Sequence, residues 1–142
     1  GYSDSESPEN LNTIDYITMA NIGGNATDFG DYSSNMSYLS GCSSETRGVW
    51  ALGHSGSAFS NTAYYVTIQT LSNTSTFGSM TEARFAPGCS SNATRGIWGG
   101  GKISSGGTTD TIDYLTLDTT GNGTSFGDLN TSRQAVAGVS GT

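Results

Sequence analysis

The chain has 142 residues, of which 21 are glycine and only 12% are charged, and its formal net charge is −7. This charge argues against binding to a phosphate backbone, which requires clustered Lys and Arg. Two Trp, seven Tyr and five Phe recur among β-branched residues, so the sequence favours a folded β protein over a disordered one. No apolar run approaches the ~18 residues of a membrane span. We therefore expect neither nucleic acid binding nor membrane insertion.

One unit of sequence recurs along the chain. Tyr16, Tyr65 and Tyr114 lie 49 residues apart, each inside a segment rich in Thr, Ile, Val and Leu. A Phe-Gly pair follows each tyrosine, at 29–30, 77–78 and 126–127. An Arg-Gly-x-Trp segment occurs twice, at 47–50 and 95–98. A period of about 50 residues is typical of propellers and other repeat arrays.

Four strands are predicted in each unit, and the second complete unit shows them best. They are strand one at Arg84–Ser91, strand two at Gly96–Gly100, strand three at Thr111–Asp118 and strand four at Ser125–Leu129. Strand three has large apolar groups on both faces, which is typical of a sheet that is covered on both sides. No stretch has a sustained 3.6-residue apolar period, so we predict an all-β fold.

Together these features resemble the kelch repeat. The elements that carry the resemblance are Trp98-Gly99-Gly100, Tyr114, Phe126 and Arg133. The unit is also similar to kelch-like repeats of bacteriophage structural and tail-associated proteins, which residues 24–31 and 41–48 match. It departs from the kelch pattern in having Phe for the usual Trp of the last strand, and Ala51-Leu52-Gly53 where glycines are usual. The resemblance implies β-propeller blades of four antiparallel strands, each about 49 residues long.

The repeat divides the chain into one continuous array. We expect a partial blade (strands three and four) at 1–33, full blades at 34–81 and 82–130, and the first strand of a further blade at 131–142. Three units are fewer than the 4–8 blades of closed propellers. The chain also opens on Gly1 and shows no signal peptide. We therefore expect a partial propeller, or a ring completed by other chains or by missing sequence.

Four of the five basic residues occupy recurring positions. Arg47 and Arg95 share one position of the repeat, and Arg84 and Arg133 share another. We expect them to be structural, pairing with recurring acids such as Asp15 and Asp113 or with loop carbonyls. A ring of arginines that grips an anionic sugar or peptide is the alternative.

The remaining ionisable residues do not predict a catalytic centre. His54 is the only histidine and occupies the place of Lys102, so we expect a loop residue, because nucleophilic catalysis needs a base and an orienting partner. Asp28, Asp31 and Asp128 are expected to be solvated turn acids, although glycosidase carboxylates and Ca²⁺ ligands are alternatives. We predict no enzyme activity, cofactor or metal.

Cys42 and Cys89 stand at equivalent places in neighbouring units, each between Gly and Ser-Ser. Equivalent positions in stacked repeats point the same way, so we expect two buried free thiols and no disulfide. Trp50 and Trp98 are likewise predicted to occupy equivalent buried sites on second strands, and unequal burial would count against the blade arrangement.

The sequence also contains acceptor motifs for N-glycosylation. These sequons lie at Asn25, Asn35, Asn73, Asn92, Asn122 and Asn130. Three of them (Asn25, Asn73 and Asn122) share one turn of the repeat, where a turn-favouring Asn explains the recurrence without sugar. Glycans are expected if the protein is secreted from a eukaryotic cell and not if it belongs to a phage, and the sequence leaves both alternatives open.

The predicted function is that of a non-enzymatic structural or adhesive propeller of a virion or tail, or of another extracellular surface assembly. Its partners would be other copies or other structural proteins of that assembly. The alternative is a secreted carbohydrate-binding module that recognises cell-surface glycans. Tyr32, Tyr38 and Tyr64 differ from their repeat equivalents and are the candidate binding aromatics, with packing between blades as the competing interpretation. A copper oxidase on a kelch-type propeller would need more His ligands than His54 supplies.

Overall fold

A computed structural model describes residues 11–20 and 22–140, and every statement below concerns those residues. They form β-strands joined by turns, without an α-helix, so the predicted all-β class is confirmed. No helix among them is long and apolar enough to cross a membrane. The first ten residues of the predicted partial unit at 1–33 lie outside the described part of the chain.

The strands follow the predicted order. The first six are β1 (Thr13–Tyr16), β2 (Thr27–Asp31), β3 (Ser40–Ser43), β4 (Arg47–Ala51), β5 (Thr62–Thr67) and β6 (Ser75–Ser79). The next six are β7 (Arg84–Phe85), β8 (Gly88–Ser91), β9 (Arg95–Gly99), β10 (Lys102–Ile103), β11 (Thr111–Thr116) and β12 (Thr124–Asp128).

Two four-stranded antiparallel sheets contain most of these strands. One sheet has the order β3-β4-β5-β6 and the other has the order β8-β9-β11-β12. The pairs β1–β2 and β7–β10 form two-stranded antiparallel sheets. Within the described residues no sheet closes on itself.

The backbone repeats with the sequence. Tyr38, Ala86 and Ala135 occupy one position of the repeat and have φ values of 56°, 53° and 54°, although none of them is glycine. Leu52 (φ 68°) and Gly100 (φ 70°) share another position with a left-handed backbone. Such values are uncommon for residues with a side chain, so their recurrence shows that neighbouring units share one conformation.

The predicted strand one at Arg84–Ser91 is interrupted, which corrects the sequence interpretation. Ala86 takes a left-handed conformation and Pro87 has no N–H to donate, so the ladder cannot continue through them. The first half becomes β7 and pairs with β10, while the second half becomes β8 and pairs with β9.

The predicted strand at 131–142 is also not formed, as residues 131–140 belong to no strand and 141–142 lie outside the described residues. The segment nevertheless runs beside β8. The Ala135 N–H donates to the Ala86 carbonyl (2.8 Å), and the Ser90 hydroxyl donates to the Val139 carbonyl (2.6 Å).

The apolar core lies mainly on and between the two larger sheets. Its buried members are Val49, Ala51, Leu52, Ala63, Phe77, Met80, Trp98, Leu115 and Leu117. These residues come from β4, β5, β6, β9, β11 and the turns that follow the strands, so each sheet buries apolar surface against the next.

Candidate functional site

A buried ion pair connects two segments of the second full unit. Arg84 Nη2 lies 3.0 Å from Asp113 Oδ2, and neither side chain is exposed. Arg84 Nη2 also donates to the Trp98 carbonyl (3.2 Å), and the Thr81 hydroxyl donates to Asp113 Oδ1 (2.7 Å). The expectation that Arg84 is structural and pairs with Asp113 is confirmed.

The arginine at the other recurring position packs against an aromatic ring in both full units. The guanidinium of Arg47 lies 4.8 Å from the centre of the Tyr65 ring, and that of Arg95 lies 4.8 Å from the centre of the Tyr114 ring. Arg47 Nη1 also donates to the Leu117 carbonyl of the next unit (2.9 Å). These contacts confirm a structural role for both residues.

The two full units meet along an interface that we call the unit interface. It is formed by β3 of one sheet and by β8 and β9 of the other. Three side chains of the second sheet donate to carbonyls of β3: Trp98 Nε1 to Ser40 (3.0 Å), Cys89 Sγ to Gly41 (2.8 Å) and Ser91 Oγ to Ser43 (3.0 Å). Because backbone carbonyls are the acceptors, this recognition depends little on the side chains of β3.

Trp50 and Trp98 lie on equivalent strands, but their burial differs. Trp98 is fully buried under β3, whereas Trp50 is only half-buried. Among the described residues no strand covers Trp50 as β3 covers Trp98. Trp50 instead lines an open cleft of about 580 Å³ between β1 and β3, which we call the Trp50 cleft. The prediction of equal burial is therefore wrong.

The two cysteines are free, as predicted, but they are half-buried where buried thiols were expected, and they are not equivalent in space. Trp50 pairs with Gly41, whereas Trp98 pairs with Cys89, so Cys89 takes the place of Gly41. Burial, and secondarily the proximity of Cys89, raises the pKa of Cys42 to about 12. Burial also raises the pKa of Cys89, although its hydrogen bond to Gly41 opposes the shift. Neither thiol has the low pKa of a reactive cysteine.

One of the three candidate tyrosines is buried, and a second packs against it. Tyr32 is 5% exposed and packs edge-on against Tyr64, with ring centres 4.8 Å apart. Burial raises the pKa of Tyr32, and its hydroxyl has no partner among the described residues. Tyr32 therefore cannot offer its ring to a surface ligand, which corrects that expectation, and Tyr64 is half-buried.

Tyr38 is 58% exposed and belongs to a group of rings that we call the aromatic cluster. The cluster consists of Tyr38, His54, Phe59 and Phe85, with neighbouring ring centres between 5.0 and 5.6 Å apart. Lys102 Nζ lies 5.9 Å from the centre of the Phe85 ring. Sequence reasoning missed Phe59 and Phe85, although the next unit has Thr and Gln at their positions and this departure from the repeat could have revealed them.

His54 has a structural environment within this cluster. It forms isolated bridges with Ser37 and Phe59, and its Nδ1 accepts a hydrogen bond from the Gly56 N–H (3.1 Å). The position outside the main strands agrees with the expected loop residue.

Two of the sequon asparagines connect neighbouring units. Asn73 Oδ1 accepts a hydrogen bond from the Asp31 N–H (3.0 Å), and Asn122 Oδ1 accepts one from the Ser79 N–H (3.0 Å). Asn92 Oδ1 instead accepts from N–H groups of its own turn. Of the other sequons, Asn25 and Asn130 are exposed and Asn35 is half-buried. Glycosylation at the six positions stays a prediction.

The candidate acids lie at the surface. Asp28, Asp31 and Asp128 are exposed, and Asp28 Oδ1 accepts a hydrogen bond from the Gly30 N–H (3.2 Å). Across residues 11–20 and 22–140, no group of three or more His, Cys, Asp or Glu side chains is placed to hold a metal ion.

No protein-family model matches the chain, and no curated protein matches its sequence. The resemblance to kelch repeats therefore stays a prediction.

Proposed function

We propose that the chain is a structural array of kelch-like β-propeller blades that serves a virion, a tail or another extracellular surface assembly without catalysing a reaction. The observation that carries this proposal is the repetition of one set of contacts from unit to unit. The Ala86 N–H donates to the Tyr38 carbonyl (3.1 Å), and the Ala135 N–H donates to the Ala86 carbonyl (2.8 Å). Successive units are therefore joined by the same backbone hydrogen bond at equivalent residues, an arrangement expected of the blades of a propeller.

A second pair of bonds repeats in the same manner. The Gly53 N–H donates to the Arg84 carbonyl (2.9 Å), and the Gly101 N–H donates to the Arg133 carbonyl (2.8 Å). The recurring arginines and asparagines also contact protein groups of their own or a neighbouring unit. The repeat thus uses its polar side chains to hold units together, which suits an architectural role.

An experimental structure of the isolated chain tests the blade arrangement. One rotation about a common axis beside β3 and β8 should superpose the sheet β3-β4-β5-β6 on the sheet β8-β9-β11-β12. Two sheets related by a large translation, as in a flat or helical stack, would overturn the propeller. Immunogold labelling of particles and cells from the source organism tests the location, since labelling confined to the cell interior would overturn a surface assembly.

The aromatic cluster favours carbohydrate binding as a second candidate function. Exposed aromatic faces stack on sugar rings, and Tyr38 offers such a face above Phe85, with ring centres 5.3 Å apart. The equivalent residues in the following units are Ala86 and Ala135, so the repeat does not require an aromatic ring there.

A glycan array tests this candidate. Saturable binding of a defined sugar should be lost in Tyr38→Ala and kept in Tyr16→Ala, which removes a 39% exposed tyrosine that packs against Phe29 elsewhere. Absence of binding by the unmodified chain, or equal loss in both variants, would exclude the aromatic cluster as the sugar site.

A further inference from the structure

The single lysine and the single histidine of the chain lie beside the same aromatic ring, that of Phe85. Lys102 pairs with Phe85 between β10 and β7, and its Nζ lies 5.9 Å from the centre of the Phe85 ring. The imidazole centre of His54 lies 5.6 Å from the same ring centre. His54 belongs to the first full unit, whereas Phe85 and Lys102 belong to the second. This part of the aromatic cluster is therefore built where the two full units meet.

The charge of Lys102 has no partner within the described part of the chain. The Arg84–Asp113 pair is the one ion pair formed among these residues, and no hydrogen bond joins Lys102 Nζ to any of them. Arg47 and Arg84, by contrast, donate to carbonyls inside the fold. A lysine ammonium is a compact charge with three rotatable donors, so this one is free to bind a carboxylate or sulfate group.

The aromatic cluster also offers neutral donors. His54 Nδ1 accepts a hydrogen bond from the Gly56 N–H (3.1 Å), so the neutral imidazole carries its proton on Nε2. That N–H donates to no atom of residues 11–20 and 22–140. The loop that follows His54 adds the exposed hydroxyl of Ser57. A ligand at the cluster would therefore meet an ammonium, an imidazole N–H and a hydroxyl beside several aromatic rings.

These groups match a sugar that carries an acid group. Aromatic rings stack on the apolar face of a sugar ring, and a charge-assisted hydrogen bond fixes its carboxylate or sulfate. We propose that the aromatic cluster binds acidic saccharides, with Lys102 donating to the acid group and His54 Nε2 to a sugar oxygen. The inference rests on the carbohydrate-binding function proposed for this cluster and names its substrate class.

NMR titration of the full chain with pairs of saccharides that differ only in charge tests the proposal. The trimer of galacturonic acid should shift the amide signals of His54, Phe85 and Lys102. It should also bind at least tenfold more tightly than its methyl ester, because the ester cannot form the charge-assisted bond. Sulfated lactose is compared with lactose in the same way. Preference for the acid within either pair supports the proposal, and equal binding within both pairs would overturn it.

Substitution of Lys102 tests the source of the selection. Lys102→Gln removes the charge and should weaken binding of the acidic saccharides about tenfold or more, while binding of their neutral counterparts stays the same. Lys102→Arg keeps the charge and should retain binding. Arg95→Gln is the matched control, since it removes the same charge at the far end of β9 and should bind like the unmodified chain. Equal loss in Lys102→Gln and Arg95→Gln would overturn the site.

A charged peptide distinguishes saccharide binding from attraction of any anion. Triglutamate with blocked ends carries as many carboxylates as the galacturonic acid trimer but no sugar ring, so it should bind at least tenfold more weakly. Phe85→Leu removes the central ring and should weaken binding of the trimer about two- to tenfold. Circular dichroism verifies that each variant is folded. Binding of triglutamate as tight as that of the trimer would overturn the saccharide and indicate an acidic peptide as the partner.

The outcomes separate this inference from the proposed function. Equal binding of the acidic and neutral saccharides would overturn the selection for charge and leave carbohydrate binding in place. Absence of binding by all four saccharides, with another sugar bound on the glycan array, would also overturn this inference alone. Absence of binding on the whole array would overturn both, while the architectural role of the repeat would be unaffected.

Discussion

Arg84 and Asp113 form an ion pair, with 3.0 Å between Nη2 and Oδ2, in which neither side chain is exposed to solvent. The same arginine accepts a bond from the Gly53 N–H of the preceding unit through its carbonyl (2.9 Å). Arg84 therefore connects the strands of its own unit and contacts the unit before it. Its repeat equivalent, Arg133, is exposed and donates to the Thr131 carbonyl (3.1 Å).

Replacing Arg84 by Met should lower the free energy of unfolding by about 3–5 kcal/mol, because the substitution leaves the Asp113 carboxylate buried without its charged partner. Urea denaturation followed by circular dichroism measures the change. Arg133→Met is the matched control and should alter the free energy of unfolding by about 0.5 kcal/mol or less. Equal effects of the two substitutions would contradict the structural role of the buried pair.

The two tryptophans should differ in fluorescence because their burial differs. Trp50→Phe leaves the fully buried Trp98, whose emission should lie at shorter wavelength and resist quenching by iodide. Trp98→Phe leaves the half-buried Trp50, whose emission should lie at longer wavelength and be quenched more strongly. Identical quenching of the two variants would contradict the open Trp50 cleft.

Strand positions could be predicted because their signals are local. The Arg-Gly-x-Trp segments became β4 and β9, and the segments around Tyr65 and Tyr114 became β5 and β11. Alternating apolar residues and flanking glycines mark such strands without reference to the rest of the chain. The strand order within each sheet followed from the repeat.

Features that depend on neighbouring units could not be read from one unit. The spacing of Cys42 and Cys89 is 47 residues while that of Trp50 and Trp98 is 48, and this difference of one residue places the cysteines at different registers. The left-handed backbone of Ala86, which divides strand one, has no signature in an alanine. The exposure of the candidate site residues likewise depends on which segment packs against each of them.

Gly78 should be intolerant of a side chain because it lies at a contact between units. A Cβ at this position would overlap the Gly121 carbonyl of the next unit. Gly78→Ala should therefore lower the free energy of unfolding by about 1–3 kcal/mol, as overpacking typically does. Gly107→Ala is the control, since its Cβ would meet no atom within 4 Å. Thermal or urea unfolding of the two variants measures the effect, and equal stability would argue against close packing of the units at Gly78.

Asn122 should contribute to stability through its side-chain oxygen. Asn122 Oδ1 accepts the bond from the Ser79 N–H of the preceding unit (3.0 Å), so Asn122→Ala should lower the free energy of unfolding by about 1 kcal/mol. Asn122→Asp keeps an acceptor oxygen and should cost less. Asn130→Ala removes an exposed asparagine of another sequon and serves as the control. A loss of stability in Asn130→Ala as large as in Asn122→Ala would contradict the proposed bond.

Cys42 should make stability depend on pH in the alkaline range. Burial raises the pKa of its thiol from 9.0 to about 12, so the unfolded chain releases this proton before the folded chain does. The contribution of the thiol is therefore fully present below pH 9 and is lost as the pH rises from 9 towards 12. Cys42→Ser removes the titrating group but leaves Cys89 and the tyrosines in place. The difference in free energy of unfolding between the unmodified chain and Cys42→Ser, measured by urea titration at successive pH values, should decrease across this range. A difference that stays constant would show that the Cys42 thiol is not held protonated by the fold.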